Sequence, residues 1–159
     1  MKVFGLSVAI VLLDQITKQW MDHWLGLCEP YACNREVLLP VFQLVVLYNE
    51  GAAFSFLADA GGWQRWLLTG ISLVVSIGIT VWLMRLPKQQ LMLRISLALV
   101  LGGALGNLID RALFGHVIDF LVVHYDQYYF PAFNVADAAI SLGAVGLVLD
   151  MFINREETP

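Results

Sequence analysis

Charge is what this sequence is short of. Only 14% of its 159 residues are Asp, Glu, Lys or Arg, against about 25% in a typical soluble domain, while 59% are hydrophobic. That balance excludes an ordinary water-soluble core of this size, and a mean hydropathy of +0.73 places the chain in the membrane class. Basic residues are scarcer than acidic ones, nine against thirteen, for a net charge of -4. With no basic patch and no base-stacking motif, no nucleic-acid partner is expected. Cysteine is limited to Cys28 and Cys33. No further Cys or His stands close enough to complete a metal site, and the spacing permits either a local disulfide or two ordinary thiols. The sequence also lacks a GxSxG nucleophile elbow, an HExxH zinc helix, internal repeats and low-complexity tracts.

What is present is a set of long apolar runs. A bilayer core needs about 20 helical residues, and four segments supply them: about 4–24, 66–84, 91–113 and 134–153. The first follows Lys2 in the manner of a secretion signal. It leads directly into Asp14, Gln15 and Lys18 with no small-residue cleavage site, so it is expected to remain as a membrane helix. Lys2, the short loop holding Arg85, Lys88 and Arg94, and the tail with Arg155 fall on one side. The positive-inside rule then makes both termini cytoplasmic. Two segments remain outside, about 25–62 and 114–133. In the first, the stretch 37–48 is β-branched and aromatic but too short to span, and Asn49, Glu50 and Gly51 supply turn chemistry before 52–57. The expectation is a small sheet at about 35–57 on the membrane surface, with Pro40 marking an edge or a bulge. The second reads as a loop whose Tyr125, Tyr128, Tyr129, Phe130 and Phe133 suit the headgroup region.

Ionisable groups inside apolar spans cost roughly 2.5–3.5 kcal/mol each on insertion scales, so each needs a partner or a task. Asp14 and Lys18 are four residues apart on one helix face, which favours an ion pair holding the first helix in the bundle. Asn107, Asp110 and Arg111 close the third helix; their spacing fits equally a structural role and one in holding a substrate carbonyl. The glycines of GGALGN (Gly102, Gly103 and Gly106) read as close helix packing rather than a phosphate loop.

Asp119 follows the third helix among Val117, Ile118, Phe120 and Leu121, poor surroundings for a solvated carboxylate. Asp137 stands in the first turn of the fourth helix, where Asn134 is the N-cap and the helix dipole gives the aspartate a structural reason to be there. The third helix exits and the fourth enters on the outer side, so both carboxyls share a depth. Two neighbouring carboxyls keep one proton between them and can activate a water for peptide hydrolysis. Structural roles compete with that reading on spacing alone. A metal set of His116, Asp119, His124 and Asp137 exists on paper but matches no helical zinc spacing. Polar groups clustered at the outer end, with few at mid-depth, argue against a channel or transporter path.

Five stretches carry a family resemblance: LDQITK around Asp14 and Lys18, YNEGAAFSFL around Asn49 and Gly51, GGALGNLIDR, GHVIDF and FNVADAAI. In this order the chain resembles the lipoprotein signal peptidases (signal peptidase II) over nearly its whole length. The resemblance implies one membrane domain of four transmembrane helices, a periplasmic β-cradle and a short interfacial helix. It implies an aspartic endopeptidase of the bacterial inner membrane that cuts prolipoproteins before a diacylglyceryl-modified cysteine, without a cofactor or metal. Membrane lipid and globomycin-type inhibitors are further implied partners. Asp119 and Asp137 take the catalytic positions. Asp14, Lys18, Asn49, Gly51, Gly103, Asn107, Asp110, Arg111, Asn134 and Ala136 match supporting ones. Cys28 and Cys33 are not part of the pattern.

Overall fold

The apolar runs do become helices. The computed structural model describes residues 2–29, 32–51 and 61–153. Its helices are α1 (Lys2–Leu25), α2 (Trp63–Arg85), α3 (Leu91–Leu113) and α4 (Val135–Ile153). By length and composition α2, α3 and α4 are each apolar enough to cross a membrane. The first helix is as long but falls below them, because Asp14, Lys18 and Asp22 interrupt its apolar character. α2 begins three residues before the expected 66. Gly61 and Gly62, at φ 78° and 95°, turn the chain into it, and the polar Gln64 and Arg65 disguise its first turn in a hydropathy reading.

α3 is the central helix and packs against the other three. Half of its most apolar stretch is buried, against 17% for α2 and for α4. Its small residues let the neighbours come close. A methyl group on Gly102 would meet the Ile10 Cβ at 2.8 Å, and one on Gly103 would collide with the backbone carbonyl of Ala136. The packing role read from GGALGN is therefore the one the helices use. Outward-facing apolar side chains such as Trp66, Val74, Leu142 and Phe152 stay exposed, as a lipid-facing surface requires.

Beyond the helices lies an antiparallel sheet in the order β1-β2-β3-β4, with β1 at Arg35–Leu39, β2 at Phe42–Asn49, β3 at Val117–Tyr125 and β4 at Tyr128–Tyr129. Two expectations change here. The stretch 37–48 is itself a hairpin turning at Pro40–Val41, because Pro40 breaks the apolar run, while the turn expected at 49–51 leads into residues outside those described. β1 is an edge strand whose register shifts between Val37 and Leu39, as its proline neighbour foretells. The segment 52–57 lies outside the described residues, as does Arg155. The second change is larger. The stretch after α3 is not a loop: residues 117–125 form the sheet's longest strand, and Asp119 sits on it. No additional short helix appears among the described residues.

β2 divides its side chains between two faces, with a register shift against β3 between Leu44 and Leu47. Leu44 and Val46 join Met21 and Leu25 of α1 and Ile118 and Phe120 of β3 in one buried cluster, while Gln43, Val45, Leu47 and Asn49 face a cleft on the other side. Gly26, at φ 68°, ends α1, and the Asn34 side chain donates to the Leu25 carbonyl at 2.9 Å. Cys28 and Cys33 form a disulfide, and the Cys28 N–H bonds Val46 O at 2.8 Å, so this loop is tied to both α1 and the sheet.

Candidate active site

A fully buried lysine organises the inner part of the site. Lys18 Nζ lies 2.8 Å from Asp14 Oδ2 and 2.9 Å from Asp110 Oδ2, and donates to Asn107 Oδ1 at 2.9 Å. Its three donors are thus all used. The pair expected between Asp14 and Lys18 forms, with Asp110 as a second counter-ion. Both carboxylates gain further donors. Asp14 Oδ1 accepts the Ala136 N–H at 2.8 Å, and Asp110 accepts the Ile118 N–H at 3.2 Å and Gln15 Nε2 at 2.7 Å. Gly106 makes room for this arrangement, since a Cβ there would stand 2.6 Å from Asp14 Oδ2. Removing either partner would leave an uncompensated buried charge, so the cluster fixes α1, α3 and α4 relative to one another.

Asn107 carries the network outward. Its Nδ2 donates to Asp137 Oδ1 at 2.7 Å. Asp137 in turn shares a capping box with Asn134: the Asp137 N–H donates to Asn134 Oδ1 at 2.9 Å, and the Asn134 N–H returns a bond to Asp137 Oδ2 at 3.3 Å. The Asn134 amide nitrogen also donates to Asp119 Oδ1 at 2.7 Å. One buried asparagine therefore touches both carboxyl groups, one through its side chain and the other through its backbone. The backbone around Asp119 makes this contact possible. The N–H groups of Phe120 and Leu121 both donate to Phe133 O, at 3.1 and 2.9 Å, drawing the chain entering α4 onto β3.

Asp119 Oδ2 accepts Asn49 Nδ2 at 3.1 Å from the end of β2. Asn49 Oδ1 accepts the Gly51 N–H at 3.0 Å, and Arg111 Nη2 donates to Gly51 O at 3.0 Å. The guanidinium of Arg111 is in electrostatic reach of Asp137, Asp119 and Asp110, and its buried Nε has no hydrogen-bond partner among the described residues. Every residue that the resemblance singled out thus falls in one connected region: Asp14, Lys18, Gly103, Asn107, Asp110, Arg111 and Ala136 between the helices, Asn49, Gly51, Asn134, Asp119 and Asp137 at the end that meets the sheet. Burial, and then the negative charge of Asp137, push the Asp119 carboxyl up to about 7, against the opposing bonds from Asn49 and Asn134. Asp119 opens onto a cleft of about 890 Å³ bounded by the sheet and the 129–132 segment.

The histidines do other things. His116 stacks on Tyr48 at 3.9 Å between ring centres, and burial lowers its basicity. Tyr48 donates to Asp22 at 2.7 Å, a bond that, with burial, raises the phenol to about 12. His124 stacks on Tyr129. Among the described residues no three His, Cys, Asp or Glu side chains gather as a metal cluster. Two contributors escaped the sequence reading. Gln15 bridges Asp14 and Asp110, and its place beside Asp14 in an apolar span was the available signal. Arg65 closes the end of α3 through Arg111 O and Ala112 O, both at 2.8 Å, with Gly115 at φ 88° giving it room. Nothing in its spacing marks that task.

The comparisons with known proteins agree with one another. The family model described as signal peptidase (SPase) II matches residues 6–153. The chain is 51% identical to a lipoprotein signal peptidase of Pseudoalteromonas atlantica, over 98% of this chain and 92% of the relative. It is 50% identical to the one from Pseudomonas aeruginosa, over 95% and 88%. A solved structure described as a bacterial membrane enzyme superposes with a TM-score of 0.82 at 25% identity, covering 99% of this chain and 93% of the other. With helices apolar enough to span a bilayer and matches that run nearly end to end, this integral membrane chain belongs to the signal peptidase II family of peptidases.

Proposed function

We propose that this protein is an aspartic endopeptidase that removes signal peptides from diacylglyceryl-modified prolipoproteins, cutting before the lipidated cysteine. The observation that carries the reading is Asn134, which holds the Asp119 and Asp137 carboxyls on either side of itself at the outer ends of the helices. Asp119, raised toward neutrality, is the member that keeps a proton, and Asp137 acts as the base. A water between them attacks the scissile carbonyl while Asp137 takes its proton. Asp119 passes its own proton to the carbonyl oxygen, giving a neutral tetrahedral diol. Collapse returns a hydroxyl proton to Asp119 and breaks the C–N bond. The leaving amine takes the proton held by Asp137, so both carboxyls end as they began.

The buried Lys18 cluster, Asn107 and Arg111 position this pair, and Asn49 with Gly51 holds Asp119 from the sheet side. The substrate arrives tethered by its own signal helix and lipid, which lowers the entropic cost of correct placement. In this reading all four helices span the bacterial inner membrane, both termini are cytoplasmic, and the sheet is periplasmic. The Cys28–Cys33 disulfide supports the sheet's location, because such bonds persist in oxidising compartments. Inhibition by globomycin-type cyclic peptides is expected from the family. The test is cleavage of a lipid-modified substrate by purified protein in detergent. Asp119→Asn and Asp137→Asn should each fold and lose at least about a hundred-fold in kcat. Near wild-type turnover by either variant would remove the mechanism.

A further inference from the structure

The cleft that opens from Asp119 continues along the sheet, well past the reacting groups, and two side chains there have no task in the chemistry. Gln43 lies on its floor, mostly buried at 7% exposure, and is the one glutamine among the cleft's described lining residues. A carboxamide on a cleft floor, able to donate and to accept, suits the polar group of a ligand laid over it. Arg35 stands beside it on β1, opposite Val45, and is the cleft's one basic lining residue among those described. No acid pairs with it among the described residues. Val122, opposite Gln43, is three residues along β3 from Asp119, roughly 10 Å at about 3.3 Å per residue.

We propose that Gln43 and Arg35 form a specificity subsite for an extended peptide segment of the substrate, about three residues beyond the scissile bond, with Gln43 binding a peptide group and Arg35 an acidic side chain. The inference rests on the proteolytic reading above. The signal segment is an apolar helix and belongs among the membrane helices, so the chain on the other side of the cut must leave over the sheet. An extended strand laid along the cleft from Asp119 reaches Gln43 after three residues. There a carboxamide can donate and accept at once, as a peptide group requires. A guanidinium at the same depth matches a carboxylate in charge and geometry. The neighbouring Val45, Leu47 and Val122 side chains are apolar, and, Asp119 aside, the sheet's other polar lining groups, Tyr48, Asn49 and Tyr129, carry no charge to match a carboxylate.

The experiment uses the full chain in vesicles and diacylglyceryl-modified peptides that differ only in the second residue after the modified cysteine, which is the third beyond the scissile bond, as Asp, Ser or Lys. Wild-type protein should cleave the Asp peptide with kcat/KM about five-fold above the Ser peptide, with Lys lowest and the difference in KM. Arg35→Glu should reverse that order. Gln43→Leu should raise KM for all three up to about ten-fold while Tm stays level, because the side chain replaced serves the ligand rather than the fold. Equal wild-type rates on the three peptides, or an order untouched by Arg35→Glu, overturns the subsite. A preference that follows the anionic-lipid content of the vesicles instead of the peptide also overturns it, and so does a lowered Tm with unchanged KM in Gln43→Leu. Cleavage of the Ser peptide by wild type, abolished in Asp119→Asn, reports separately on the proteolytic activity itself.

Discussion

The state of one proton on Asp119 links stability to catalysis. The folded carboxyl holds its proton to about pH 7, whereas the ordinary value is 3.8. Between those values the folded state binds more protons than the unfolded, so stability from this group declines as pH rises through that window. Asp119→Asn removes the penalty and should be more stable than wild type at pH 8 by on the order of 2–4 kcal/mol, with no gain below pH 4. Denaturation in detergent at the two pH values measures this, and an equal difference at both would contradict the burial argument. Turnover by the wild type should likewise decline above about pH 7, once Asp119 has lost its proton. Lys18 makes the opposite kind of case. Lys18→Met leaves Asp14 and Asp110 buried without a cation and should cost about 3–5 kcal/mol, seen as a lowered Tm.

Between elements, the closest approach in the site is that of α3 to α4 at Gly103. A methyl there meets backbone rather than a movable side-chain end, so the helices must separate. Gly103→Ala should lose about 1–3 kcal/mol, and turnover with it, since Asn107 would be drawn from Asp137. Gly78→Ala on α2, where a Cβ meets nothing within 4 Å, is the control and should be neutral or up to about 1 kcal/mol more stable. Similar losses in both would show that helix propensity, not contact, is being measured. The same scale explains what was readable in advance. The helices show themselves through unbroken apolar runs, and the Asn134 cap through its place before Asp137. β3 does not, because its partner strand lies some 70 residues earlier, as the Asn49–Asp119 contact records, and its apolar run has no period to distinguish strand from loop. The hairpin at Pro40–Val41 hides for a related reason: the residues on both sides are equally apolar. Equal depth for Asp119 and Asp137 is expected from helix direction, but the bonds by which Asn134 reaches both carboxyls are ones that no spacing encodes.

For the whole molecule, the proposed orientation can be checked by labelling. With Cys28 and Cys33 left paired, Val41→Cys at the sheet hairpin should react with a membrane-impermeant maleimide in intact spheroplasts. Lys88→Cys, between α2 and α3, should react only after the membrane is opened. Labelling of both from the same side would reverse or break the topology. The disulfide closes a short ring, and its loss in a Cys28→Ser, Cys33→Ser variant should cost about 2 kcal/mol. That change belongs to the whole because the ring joins α1 to the sheet.

The cluster at Lys18 also constrains how such a chain is made. During synthesis α1 emerges first, carrying Asp14 and Lys18, while Asp110 and the Ala136 amide are still untranslated. Until they arrive, the ribosome-bound half has a helix that is poorly suited to lipid by itself. In the proposed four-span arrangement, its lasting residence in the bilayer comes late, conferred by later-born neighbours rather than by its own composition.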